Sequence, residues 1–337
     1  MPWTLTSVAA RAADALALRR RWTSPAAAAR ASGLAQRGAR AEGDTVYDRI
    51  FARRAATASA PDRKALEAAL DALGDDRAVL RRAVASGAPL AAVAALAARW
   101  DDLPAPVRGV IVSPLGHGGA GAVAWASVRA VQADQTTCGA ASMAMMLMMT
   151  DPFVALWVAT GAVVGDYLPP EVLGCEAERR PAHTVEERWR SLQRHLHDAT
   201  TRRALGPFPW PRSLGTPPWR VDNVTRCAGL RFRGALVDDA DGSDLKAMLA
   251  HASAALRDGI PVPVYTAGDS SLGLDTAIPR HVVLFVGRTA AGFLVYEPGS
   301  GAVHEVADAL LADHSGRLAA LGNWSRLAWF VLPVPRD

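Results

Sequence analysis

An α+β fold is predicted, with helices early in the chain and an antiparallel sheet in its last third. Up to about residue 100 the sequence is rich in Ala and Arg, with apolar residues at helical spacing. From Ile260 onward, short apolar runs follow one another across turns too tight to hold crossover helices. Between these regions lies Val131–Met149, a polar turn running into an almost wholly apolar segment that reads as a helix buried nearly all round.

The early elements follow from their punctuation. Helical patterning covers Leu5–Leu18 and Val46–Ala55, with breaks at Ser24-Pro25 and Glu42-Gly43-Asp44. Residues 61–99 read as a helical pair, started by Pro61-Asp62 and turned at Gly74-Asp75-Asp76 and Gly87-Ala88-Pro89. Val107–Ser113 is expected as a short strand. The glycine-rich loop Pro114–Ala122 follows, without the Walker spacing or the dinucleotide fingerprint, and is expected near a cleft entrance with His117 as a substrate-contact candidate. Thr136 or Thr137 is expected to cap the helix beginning at Cys138, and Asp151-Pro152 divides the apolar run Ala140–Gly165 into two helices.

Residues 166–240 read as an insert. Its proline and tryptophan punctuation surrounds a charged helix near Glu186–His197, and Trp210 and Trp219 are candidates for lining a substrate cleft. His195 and His197, with Cys175 and His183, match no zinc spacing, and the two helix histidines are expected to be solvated. The acidic turn Asp239–Asp244 fails as a calcium loop at Val237 and Met248, so no metal is expected; Ser243 or Asp244 should cap a helix over Leu245–Arg257. Strands are then expected at Ile260–Tyr265, His281–Gly287, Phe293–Tyr296, Ala302–Val306 and Leu327–Pro333. Pro261 and Pro263 suggest that the first of these lies at an edge or is only partly paired.

Composition narrows the function classes. Half of the 337 residues are hydrophobic and 21% are charged, which suits a globular protein with ample core. The net charge of +4 rests almost wholly on arginine, since Lys64 and Lys246 are the only lysines. With the abundant alanine this matches residue usage in a GC-rich bacterial genome, so the isoelectric point of 9.3 is no argument for a nucleic-acid partner. Three cysteines at irregular spacing argue against a disulfide framework and for a reducing compartment. The first residues lack the order of a signal peptide and each half of the apolar run is too short to span a bilayer. A cytoplasmic location without an integral membrane segment is therefore expected.

The chemistry concentrates at four positions. Cys138 opens a helix, where backbone N–H groups and the macrodipole favour a thiolate. Gln132, six residues earlier, offers an amide to a developing oxyanion. His281 stands at the mouth of an apolar strand, and Glu297 ends the next strand beside a turn, placed to orient the imidazole. Each residue type is commonly structural when taken singly; the order Gln, Cys-Gly, His, Glu makes the four a constellation.

Gln132…Cys138-Gly139, His281 and Tyr296-Glu297-Pro298 resemble the motifs of papain-like cysteine peptidases, most nearly the bacterial branch that trims double-glycine leader peptides. The likeness spans about the last two hundred residues and departs at Glu297, where that family usually carries Asp or Asn. Residues 1–105 read as a helical extension by their own patterning; the likeness implies a papain-like domain over 106–337, whose nucleophile helix packs on the C-terminal sheet. It also implies cofactor-free cleavage of a peptide or amide bond in a peptide or protein substrate, through a Cys-His-Glu triad and a thioester. Transamidation or deamidation, and an inactive scaffold that only binds, remain open alternatives.

Overall fold

The computed structural model describes residues 3–16, 45–116, 118–177, 183–238, 241–271, 273, 276–279, 281–314 and 316–334. His117, the breaks at Ser24-Pro25 and Glu42-Gly43-Asp44, and residues 239–240 of the acidic turn lie outside these residues.

The architecture combines helices with antiparallel sheet. Helices α1 (Leu5–Ala15), α2 (Val46–Thr57), α3 (Ala60–Leu73), α4 (Ala78–Ala85), α5 (Leu90–Ala98) and α6 (Ala105–Val112) precede α7 (Cys138–Thr150) and α8 (Pro152–Thr160). Thr4 and Thr45 close capping boxes with Ser7 and Asp48 at the starts of α1 and α2, and Ser59 caps α3. Residues 61–99 form three helices rather than the expected pair, because Gly74–Arg77 tightens into a 3-10 turn between α3 and α4. Apolar burial runs without interruption from Val46 in α2 into the sheet.

Val107–Ser113 is not a strand. Pro104 and Pro106 start α6, positions where a missing N–H costs no intrahelical bond. At its other end, Arg82 donates to the carbonyls of Ile111 and Val112 at 2.9 and 3.0 Å. A long-range cation thus satisfies the end of a helix whose β-branched residues favour strand.

Ala, Met and Leu dominate α7, and of its thirteen residues only Met149 is less than fully buried. The helix ends because Pro152 forces Asp151 into an extended conformation, and Asp151 then caps α8 through Phe153 N–H at 3.0 Å. The pair bends by 111° there, and among the described residues no single helix is long and apolar enough to cross a membrane. The other Asp151 oxygen meets Arg226 at 2.7 Å, and Arg226 also holds Glu171 through two bonds of 2.8 and 2.9 Å.

The insert contains α9 (Pro170–Ala177), α10 (Val185–Thr201) and α11 (Pro218–Val224). His197 is buried rather than solvated, and His195 is half-buried against Gly174. The helix lies on α7, so its inward face is apolar whatever its overall charge. Strand Arg231–Leu236, inside the segment assigned to the insert, belongs to the sheet instead. Its alternating exposed arginines disguise an edge strand of the core.

Two-residue strands β1 (Gly121–Ala122), β2 (Ala124–Trp125) and β3 (Val128–Arg129) precede β4 (Arg231–Leu236), β5 (Val262–Ala267), β6 (His281–Arg288), β7 (Phe293–Glu297), β8 (Ala302–Val306) and β9 (Arg326–Val334). The main sheet runs β1-β8-β7-β6-β5-β9-β4, with antiparallel pairing between all neighbours. β5 is therefore central, not an edge. Pro261 lies outside it and Pro263 precedes the first β5–β9 pair, Val264 with Phe330, so a donor is missing where only one neighbour is paired. Helix α12 (Gly242–Arg257) is capped by Asp241 accepting from Ser243 N–H, two positions earlier than the nearer of the two expected caps. A short helix α13 (Asp308–Ala312) and the 3-10 turn Ala319–Leu321 complete the chain before β9.

Candidate active site

The sheet and α7 bring the three principal candidates together. Ser142, one turn after Cys138, donates from Oγ to the carbonyl of Val282 at 3.2 Å, which turns that face of α7 toward the start of β6. Phe285 of β6 pairs with Val295 of β7, so by strand alternation His281 and Glu297 project from one face as diagonal neighbours. His281 Nε2 lies 2.8 Å from Glu297 Oε1. The Cys138 side chain is close enough to the imidazole to favour its protonated form.

Electrostatics assign the proton on Nε2. Glu297 accepts two backbone N–H groups at 2.6 Å, from Gly299 and Ser300, besides the ring. Burial pushes its carboxyl up, but hydrogen bonds from His281, Ser300 and Gly299 outweigh this and hold it at about 2. An ionised carboxylate only accepts, so Nε2 donates and Nδ1 is the ring atom left for the thiol. Burial would depress His281, yet its interactions with Cys138 and Glu297 prevail and raise it to about 9. The longer Glu side chain therefore reaches the ring, anchored by a turn that its own sequence, Glu297-Pro298-Gly299-Ser300, makes natural.

The turn before Cys138 is held from three directions. Gln132 N–H donates to Pro298 O at 2.8 Å, Trp189 Nε1 to Val131 O at 2.7 Å, and Ala133 N–H to Gln193 Oε1 at 2.8 Å. Thr137 occupies the position before the helix without capping it; its hydroxyl turns back to bond the backbone of Asp134. Asp134 accepts from Thr136 instead, so the whole turn is closed on itself. Gln132 Nε2 donates to Asp134 O at 2.7 Å, leaving its second hydrogen, while Oε1 is buried without a partner. The amide belongs to the nucleophile turn, and one of its two hydrogens is already engaged.

Trp210 and Trp219 meet edge to face with centroids 5.2 Å apart, and Trp219 Nε1 donates to Ala204 O at 2.8 Å. Trp210 N–H donates to Thr201 O at 2.8 Å, so both tryptophans are tied to residues of the insert. Cys175 and Cys227 are also buried, and burial pushes the Cys227 thiol up to about 11. Among the described residues no group of His, Cys, Asp and Glu could hold a metal ion.

Two contacts at the site escape sequence reasoning. Gly322, in a left-handed conformation at φ +69°, lies so close to the His281 ring that a Cβ there would stand 2.4 Å from Cδ2. Thr216 rests on Gly139 in the same way, with its Cβ and Oγ1 at 2.6 and 2.7 Å from where a side chain would begin. Both pairs are distant in the chain, and the only local signal is glycine in Cys138-Gly139 and Leu321-Gly322. No protein-family model matches the chain, and no curated protein matches it either.

Proposed function

We propose that this chain is a thiol hydrolase of papain-like fold that cleaves a peptide or amide bond through Cys138, His281 and Glu297. One observation carries the reading: a half-buried imidazole, 2.8 Å from a carboxylate fixed by two backbone donors, also interacts electrostatically with a cysteine at a helix start. A helix-borne cysteine, a strand-borne histidine and an antiparallel sheet support that reading.

The Cys138 thiolate attacks the substrate carbonyl, forming a C–S bond, and the carbonyl oxygen becomes an oxyanion. Cys138 N–H and the remaining Gln132 amide hydrogen face that charge. The intermediate collapses with loss of the amine, which takes the Nδ1 proton of His281, leaving a thioester. Water then gives a proton to the neutral ring and adds to the thioester, and the thiolate departs. Throughout, Glu297 keeps Nε2 protonated and the ring in place.

Iodoacetamide labelling followed by peptide mass analysis tests the reading without a known substrate. Cys138 is expected to react faster than Cys175 and Cys227, and His281→Ala should abolish the difference. Equal, slow labelling of all three cysteines would falsify the catalytic assignment. A peptide library cleaved by wild type and not by Cys138→Ala then gives the substrate, and adding a primary amine separates hydrolysis from transamidation.

A further inference from the structure

Thr216 comes from the insert, far in sequence from the nucleophile, yet it covers the first turn of α7. Its side chain sits against Gly139, the residue after Cys138, at a separation no Cβ would allow. Only 4% of the residue is exposed, and its Oγ1 has no hydrogen-bond partner. A buried hydroxyl ordinarily finds one, because leaving the bond unmade forfeits the hydration lost on burial.

The placement is enforced from both sides. Tyr265 Oη, from the central strand β5, donates to Thr216 O at 2.8 Å. Gly215 takes φ +73° to turn the chain inward, with the Thr136 carbonyl 3.5 Å from where its side chain would begin. The insert is thus pinned to the turn and the helix that carry Cys138, and the unsatisfied hydroxyl is held at the helix's leading end. The first N–H groups of the helix there are free of intrahelical partners.

We propose that Thr216 is a substrate-positioning residue of the site described above, its hydroxyl donating to a main-chain carbonyl of the acyl segment lying over the first turn of α7. This rests on the thiol-hydrolase reading. A donor that reads the main chain binds a peptide without regard to side-chain identity. The absence of a side chain at Gly139 then has a second use: it admits Thr216 to the site.

The test compares two electrophiles on the full-length protein. Iodoacetamide reports Cys138 reactivity alone, and acetyl-Ala-Ala chloromethyl ketone reports it together with main-chain recognition. Thr216→Val is expected to leave the iodoacetamide rate at Cys138 unchanged and to slow the peptidyl reagent about tenfold, with Thr216→Ser restoring it. Equal peptidyl rates for wild type and Thr216→Val overturn the role of Thr216 and leave the catalytic reading intact. Slowing of both reagents in Thr216→Val, with the serine variant equally slow, assigns the residue to packing and overturns the proposal. A wild-type Cys138 that reacts with neither reagent overturns both readings.

Discussion

Replacing Gly322 by alanine tests the site through the histidine rather than the nucleophile. Two effects superpose. A left-handed conformation at φ +69° costs alanine about 1 kcal/mol relative to glycine. The new methyl would also stand 2.4 Å from His281 Cδ2 and 2.7 Å from Nε2, roughly an ångström inside ordinary contact. The neighbour is a ring held by Glu297 at 2.8 Å, and the glycine's own turn is tied to β5, where Thr266 Oγ1 donates to Leu321 O at 2.9 Å. If the ring retreats, it loses a charge-assisted bond worth about 1.5–3 kcal/mol. The expected loss of stability is therefore about 2.5–4 kcal/mol. Gly206→Ala supplies the control, because Gly206 has the same φ of +69° with nothing within 4 Å. Urea unfolding should show about 1 kcal/mol for the control, and Cys138 alkylation should slow at least tenfold in Gly322→Ala only. Identical behaviour of the two variants would refute the argument that Gly322 positions His281.

Glu297→Gln removes the charge that supports the imidazolium, so the ring's titration should fall from about 9 toward its ordinary 6.5, read by histidine NMR. In wild type the His281 contribution to stability is complete below 6.5 and lost as pH rises through about 9. That of Glu297 is complete above 4.5 and lost as pH falls through about 2. Denaturant unfolding across pH should therefore show wild type most favoured over the variant between those limits. At a distance from the site, Arg226→Met leaves Asp151 and Glu171 as buried carboxylates without their shared cation, which should cost about 3–5 kcal/mol by thermal or urea unfolding. Adding Asp151→Asn and Glu171→Gln should recover part of that loss, because the isolated charges are then gone.

Several features were legible before any coordinate. The apolar run after Cys138 could only be a buried helix, and Asp151-Pro152 could only break it, since proline restricts the residue before it. Ala302–Val306 matched its predicted strand residue for residue, and His281 opened its strand as expected, because period-two patterning and glycine turns are local properties. Glu297 as partner to His281 also followed from one hairpin's length.

Other features depended on contacts that no window of sequence contains. Val107–Val112 is helical because Arg82 satisfies its last carbonyls, and Pro263 lies in a central strand because the β5–β9 ladder begins after it. His197 is buried because α10 turns that side toward the core, a choice its own charged sequence does not state. The same holds for Gly322 against His281 and Thr216 against Gly139. Periodicity and turn chemistry specify which elements form, since those energies act between residues near in the chain. Which glycine admits which side chain is settled by packing between segments far apart in sequence, and at this site that packing positions the imidazole and the Thr216 hydroxyl.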